Sequence, residues 1–366
     1  MALPPSAPGH SHTIQARIDQ VGNFDAIIDV RSPAEYADDH IPGAINLPVL
    51  DNAERARVGT LYVQESPFAA RKLGAALVAR NISRHIEHSL QAHPKGWRPL
   101  VYCWRGGQRS AAMTTVLSQI GWQARQLAGG YKIYRRAVLA DLEALPGKFQ
   151  YLVLHGPTGS GKTALIEALA GEGCQVLDLE AMACHRGSVL GGSFADGYVQ
   201  PGQKAFESAL RAQLASLDPA RTVYVESESQ RIGRLAVPRA LFEAMTQSPC
   251  LRIAVPIEER VTHLVDRYSD IYGRPDVLRA RLDFFLPLHG RKTVDQWRAW
   301  VDAGQWRDFA RDLVRSHYDP AYRRNGQGYY RKVQDAPTLE LGSLDRDAII
   351  QAARELMRGS ITGNAK

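Results

Sequence analysis

The chain has 366 residues, 45% apolar and 23% charged, with a formal charge of +7. That is the profile of an ordinary globular protein long enough for two hydrophobic cores, and it excludes extensive disorder. Four cysteines with no C-x-x-C pair and no zinc-type Cys/His spacing exclude a disulfide framework and a structural metal site, and no apolar run reaches membrane-spanning length. Residues 1–12 lack the basic start and apolar stretch of a secretion signal, so the expected location is the cytoplasm, without a membrane partner.

Taken in chain order, short apolar runs alternate with helical patterns from residue 23 to about 141. Strands are expected at 26–29 and 44–47 with a turn at Ser32-Pro33 between them, then a long helix within 67–93, a strand at 100–102 and a helix after Ser110. A strand near 124–127 ends in Gly129-Gly130 before a helix over 131–145. Pro146-Gly147 breaks that helix, which places one α/β domain over 1–146 and a second over 147–366. Asp29 and Arg31, at a strand end, are placed to pair and to fix the neighbouring loop, and Ile41-Pro42-Gly43-Ala44 reads as a tight entry into the next strand.

Within the first domain, Cys103-Trp104-Arg105-Gly106-Gly107-Gln108-Arg109-Ser110 lies between the strand at 100–102 and a helix N-terminus. Converging backbone N–H groups, the helix dipole, Arg105 and Arg109 all favour negative charge there, which makes Cys103 a candidate nucleophile or carrier. Arg109 is the candidate anion clamp, with Arg105 a weaker one.

The second domain opens with a strand at 151–154 followed by Gly156-Pro157-Thr158-Gly159-Ser160-Gly161-Lys162-Thr163, a full match to G-x-x-x-x-G-K-[ST] ahead of a helix over 162–169. The glycines let the backbone wrap phosphates, Lys162 neutralises their terminal oxygens, and the Thr163 hydroxyl can reach Mg²⁺. A strand at 175–179 leads into a loop carrying Asp178, His185 and Arg186 and closing on Gly191-Gly192-Ser193-Phe194. His185 and Arg186 are either ligand contacts or members of a local ion-paired loop with Asp178 and Glu180. After a helix over 203–217, the strand at 222–226 ends in Glu226-Ser227-Glu228, where either carboxylate holds a metal through water or orients an arginine; Arg231 just beyond is a second clamp candidate. A strand at 251–256 completes an alternation that implies a mostly parallel sheet with ligands at the carboxyl ends of its strands.

Beyond Pro256 the pattern turns helical, at 258–272, 275–285, 294–303, 306–316 and 345–357. Residues 251–332 hold sixteen Lys/Arg against eleven Asp/Glu, interleaved with Tyr268, Tyr272, Trp297, Trp300, Trp306, Tyr318, Tyr322, Tyr329 and Tyr330. That mixture suits either a nucleic-acid surface or solvated helix faces edged with tyrosine.

Asp29-Val30-Arg31-Ser32-Pro33-Ala34-Glu35-Tyr36 with His40-Ile41-Pro42-Gly43-Ala44 and the Cys103 loop resembles the rhodanese domain, in which the loop cysteine carries a persulfide. The usual sulfurtransferase loop has four residues between cysteine and arginine, whereas Trp104 to Gln108 make five. A wider loop fits a larger tetrahedral anion, as in the related dual-specificity phosphatases, or a chalcogen larger than sulfur. The phosphate loop is in turn similar to that of tRNA isopentenyltransferases. A rhodanese domain followed by a P-loop domain with the 178–188 segment and Glu226-Ser227-Glu228-Ser229 resembles the bacterial tRNA 2-selenouridine synthase family. The resemblance implies a tRNA-modifying transferase acting at the anticodon arm, with selenophosphate as selenium donor and geranyl diphosphate as co-substrate. A simple sulfurtransferase, a phosphatase and a P-loop kinase or NTPase stay open as alternatives at this point.

Overall fold

The computed structural model describes residues 15–186, 190 and 199–359, with backbone alone at 271–272 and 324–328. The chain divides into two compact units, Met1–Ala140 and Asp141–Lys366, the division falling inside the helix Gly130–Ala144.

In the first unit, five parallel strands, β1 (Gln15–Ala16), β2 (Ala26–Asp29), β3 (Ala44–Asn46), β4 (Pro99–Tyr102) and β5 (Arg125–Leu127), lie in the order β1-β5-β4-β2-β3. The central strands β2 and β4 are near-continuous apolar runs because helices cover both faces of such a sheet. Ile28, Leu100 and Val101 are fully buried in consequence, and the core continues through Met113 and Leu117 of the helix Gln108–Ile120. Register pairs Asp29 with Tyr102, so the chain leaving β2 and the loop leaving β4 emerge side by side. The expected turn at Ser32-Pro33 is the start of a helix, Pro33–Asp38, because Ser32 and Glu35 form a capping box and Pro33 occupies the first turn. A second capping box, Asp51 with Glu54, starts a helix Asn52–Gln64 that apolar periodicity did not reveal. The long helix runs Pro67–His85 and continues as a π turn, Ile86–Leu90.

The second unit is built on β6 (Tyr151–His155), β7 (Gln175–Leu177), β8 (Val223–Glu226), β11 (Cys250–Ala254) and β12 (Thr338–Glu340), all parallel, in the order β12-β11-β6-β8-β7. A separate antiparallel hairpin joins β9 (Arg231–Ile232) to β10 (Leu235–Ala236). With β6 central and β8 then β7 beside it, the carboxyl ends of three strands present the phosphate loop, Glu226 and the Asp178 segment along one edge. Helices Lys162–Gly171 and Arg346–Met357 close one face of the sheet through Leu165, Ile166, Ile349 and Ala353. β11 is followed by helices that include Ile257–Arg267, Pro275–Leu282, Leu286–Asp302, Trp306–Leu313 and Asp319–Tyr329, and the second, third and fourth of these build a smaller core around Trp297, Phe285 and Leu282. Among the described residues no helix is long and apolar enough to cross a membrane, and all four cysteines are unpaired.

Candidate functional site

The loop after β4 closes around its own sulfur. Cys103 is 3% exposed, and its Sγ accepts the backbone N–H of Gly107 at 3.2 Å and the hydroxyl of Ser110 at 3.1 Å. Ser110 is held in turn by Gln126, whose Nε2 donates to Ser110 Oγ at 2.8 Å and to the Gly107 carbonyl at 3.1 Å. The following helix clasps the loop from below, since Tyr131 N–H donates to the Cys103 carbonyl at 2.8 Å and Lys132 N–H to that of Trp104 at 3.0 Å. This clasp requires glycine at 130, where φ is +57° and a Cβ would overlap the Cys103 carbonyl oxygen. Arg109 does not point at an open site: it donates to Glu35 at 2.7 and 3.3 Å. Arg105 is exposed, and Trp104 stacks on Tyr131.

Asp29 and Arg31 pair as the sequence implied, fully buried, with Arg31 Nη2 at 2.6 Å from Asp29 Oδ2 and also donating to the Asp39 carbonyl. Tyr131, under the Arg31 guanidinium at 4.1 Å, donates its hydroxyl to Asp39 at 2.6 Å. The pair therefore supports the helix that clasps the cysteine loop.

The phosphate loop lies in a cavity lined by Gly156 and residues 158–163 together with His155, Glu180, Arg186, Glu226, Glu228 and several tyrosines. Gly159, at φ +81°, lies so close to Leu264 that a Cβ would come within 2.8 Å of it. Lys162 Nζ donates to the Gly156 carbonyl at 2.9 Å, folded back over its own loop, and the Thr163 hydroxyl donates to Glu226 Oε2 at 3.2 Å. Arg260, 5% exposed, donates to the Thr158 carbonyl at 3.0 and 2.8 Å and pairs with Asp319, bracing the loop. Among the described residues, Ser160 Oγ, His155 Nδ1 and Glu226 Oε1 are buried with no hydrogen-bond partner in the protein, an unusual expense unless a ligand meets them.

Glu180, Glu226 and Glu228 bring a carboxylate oxygen each to within 4.8 Å of one another. Burial and then mutual repulsion push all three upward, Glu226 and Glu180 to about 8 and Glu228 to about 7. Residue spacing offers Glu226 or Glu228 as a metal holder and Glu180 only as a local ion-pair partner; the structure instead joins Glu180 to both, and three carboxylates beside the Thr163 hydroxyl are an all-oxygen donor set suited to a hard divalent cation. His155 falls to about 4 through burial and the nearby Lys162, so it is neutral at physiological pH.

Of the other candidates, Asp178 caps the short helix Leu179–Met182 by accepting from Ala181 N–H at 2.8 Å. Arg186 lines the phosphate cavity, paired with Asp270 at 2.9 Å and lying over Tyr268 at 4.9 Å rather than joined to Asp178 or Glu180. His185 packs against the hairpin turn at Gly233, and Arg231 is exposed and off the cavity wall. Gly187, Ser188 and Gly191-Gly192-Ser193-Phe194 lie outside the described residues. In the basic region, Trp297 is core, while Tyr268, Tyr318, Tyr322, Tyr329 and the buried Tyr330 line the phosphate cavity. Several of its arginines are tied to acids, Arg279 to Asp302, Arg298 to Asp283 and Arg311 to Glu258. Sequence reading had no local signal for Arg260 or His155, and it named the tyrosines only as part of the basic, aromatic mixture, not as walls of the phosphate cavity.

A family described as "tRNA 2-selenouridine synthase AAA domain" matches residues 149–274, and one described as "Rhodanese-like domain" matches residues 12–137. A protein of Bdellovibrio bacteriovorus named tRNA 2-selenouridine synthase is 37% identical over 66% of this chain and 64% of its own length. Relatives of the same name from Hahella chejuensis and Cupriavidus pinatubonensis are each 35% identical, over 83% and 90% of this chain and 74% and 94% of theirs. The chain thus spans just under two thirds of the first of these relatives and nearly all of the last.

Proposed function

Because the chain belongs to the tRNA 2-selenouridine synthase family, we propose that it replaces sulfur by selenium in 2-thiouridine at the tRNA wobble position, drawing selenium from selenophosphate and activating the sulfur with geranyl diphosphate. The observation that carries this reading is that one chain holds two oxyanion cradles of different chemistry, a cysteine ringed by donors and a phosphate loop with unsatisfied buried polar groups.

The chemistry requires two steps. A thiocarbonyl sulfur leaves poorly until it is alkylated, so it first attacks the allylic carbon of geranyl diphosphate; the S–C bond forms as the C–O bond breaks, and diphosphate leaves. Lys162, Thr163 and the amides of residues 158–163 are positioned to take up the charge that develops on that diphosphate. A divalent cation held by Glu180, Glu226, Glu228 and Thr163 would neutralise part of the same charge. In the second step selenium bonds to C2 of the uridine, the C2–S bond breaks with geranylthiolate leaving, and water cleaves the P–Se bond to release phosphate. The Cys103 loop, with Arg109 exchanging Glu35 for the tetrahedral anion, suits selenophosphate, and the anticodon arm supplies an unpaired uridine that can be splayed out.

Mass spectrometry of nucleosides from thiolated tRNA incubated with each variant tests the division of labour. Cys103→Ser should cut selenation by about 10²-fold or more and leave geranylated thiouridine accumulating. Lys162→Ala should cut alkylation itself by about 10²- to 10³-fold. Loss of alkylation in the Cys103 variant would refute the assignment.

The pairing of Thr163 with Glu226 beside a complete phosphate loop favours nucleoside triphosphate turnover as the second reading. It requires ATP or GTP hydrolysis that persists in Cys103→Ala.

A further inference from the structure

A groove opens off the phosphate cavity and differs from it sharply in chemistry. Its wall is formed chiefly by Leu264, Val265, Trp306, Phe309, Ala310 and Leu313, from the helices Ile257–Arg267 and Trp306–Leu313, and no charged side chain lines it among the described residues. The two spaces adjoin, since Thr158, Leu264, Tyr268 and Tyr318 line both. The junction is tight: Gly159 of the phosphate loop touches Leu264 so closely that only glycine fits.

We propose that this groove holds the hydrocarbon chain of an allylic diphosphate whose phosphates occupy the P-loop, with Ala310 and Val265 setting the chain length accepted. The proposal rests on the reading of the P-loop as a diphosphate rather than a nucleotide cradle, and deepens it. A ligand that fills both spaces must carry phosphate at one end and present little but C–H surface beyond. Burying such a chain against leucine, phenylalanine and tryptophan gains the full transfer free energy of each methylene. A nucleobase would bring ring nitrogens and exocyclic groups into a wall whose only polar side chains, among the described residues, are those of Thr158, Trp306 and two tyrosines, leaving most of its edge unpaired. Ala310 and Val265 are half-buried short side chains on this wall, so a larger residue there fills the groove without touching the phosphate loop.

The test is calorimetric titration of the full chain with inorganic pyrophosphate, dimethylallyl diphosphate, geranyl diphosphate and GTP. Wild type should bind geranyl diphosphate about tenfold or more tighter than pyrophosphate. Ala310→Phe and Val265→Phe should each erase about tenfold of that advantage, shift preference to the five-carbon chain, and hold pyrophosphate affinity within about twofold. Retained pyrophosphate binding certifies the fold of each variant, and if one loses it the other decides. Unchanged geranyl diphosphate binding in the variants, with wild-type advantage intact, overturns the groove assignment while the proposed function stands. Loss of GTP affinity in their place assigns the groove to a base and overturns it too. A wild-type chain that binds geranyl diphosphate no better than pyrophosphate and forms no alkylated thiouridine sinks the functional reading itself.

Discussion

The cysteine loop and the phosphate loop are built to one local plan and finished differently. Each follows an inner strand of a parallel sheet, turns through glycine, opens a helix, and rests on a buried arginine paired with an aspartate, Arg31 with Asp29 in one case and Arg260 with Asp319 in the other. Around Cys103 the donors are spent internally: Gly107 N–H and Ser110 hydroxyl go to the sulfur, Gln126 to Ser110, Arg109 to Glu35. Around Lys162 the polar groups Ser160 Oγ, His155 Nδ1 and Glu226 Oε1 are left unmet, and an apolar groove adjoins. A loop whose donors are satisfied from within takes an anion only by exchanging partners, whereas a loop with buried polar groups unmet holds them in reserve. Preorganised reserve of that kind costs stability and supplies binding.

The two arginines measure how far that difference extends. Arg31 and Asp29 are both sealed from solvent, so Arg31→Met strands a buried carboxylate and should destabilise the chain by about 3–5 kcal/mol, read as a fall in the urea midpoint. The side chain of Asp319 is 25% exposed and can rehydrate, so Arg260→Met should cost only about 1–2 kcal/mol while weakening pyrophosphate binding several-fold through the freed Thr158 carbonyl. Equal stability losses in the two variants would erase the distinction between a sealed brace and a ligand-facing one.

A smaller effect separates the loops by pH. Glu226, pushed up to about 8 by burial and then by Glu180, binds its proton more tightly folded than unfolded, where the ordinary value is 4.5. The native state therefore holds the extra proton between those two values, and stability is fully present below about pH 4.5 and is lost as pH rises through about 8. In EDTA, wild type should lose roughly 2 kcal/mol between pH 5 and pH 8.5 relative to Glu226→Gln, less than a lone group would give because three carboxylates share the titration. Magnesium at pH 8.5 should return part of the loss to wild type and little to the variant. Parallel pH profiles would remove the carboxylate cluster from the account of the phosphate loop.

Much of this was legible in the sequence where one local string carries the signal. The inner strands β2, β4, β6 and β8 are apolar runs between turns, and both loops follow from short motifs at strand ends. What escaped was either too short or too distant. β12 is three residues, and the helix Asp319–Tyr329 contains Pro320, Gly326 and Gly328 with no apolar stripe. Ser32-Pro33 reads as a turn by residue type, yet serine three before Glu35, with proline between, starts a helix. Glu180 joins Glu226 and Glu228 only because β7 lies next to β8 in the sheet, and Arg260 meets Asp319 across 59 residues. Sheet order and helix docking, not residue type, placed them.

The finest probe of the contrast is Glu35, the internal partner that occupies Arg109. Its Oε2 accepts from Arg109 at 2.7 Å and also from Ser32 N–H at 3.1 Å, so Glu35→Gln keeps an acceptor for the helix cap while removing the charge. The side chains of Arg109 and Glu35 are 17% and 24% exposed, which limits such a pair to about 1 kcal/mol. Releasing it should raise the affinity of the cysteine loop for a tetrahedral oxyanion by about three- to fivefold, seen as stronger protection of Cys103 from iodoacetamide by inorganic phosphate. The same substitution should leave pyrophosphate binding at the P-loop untouched. If phosphate protects wild type and Glu35→Gln alike, Arg109 is a structural strut and the anion in the first cradle is held by the Gly107 amide, Ser110 and the helix N-terminus.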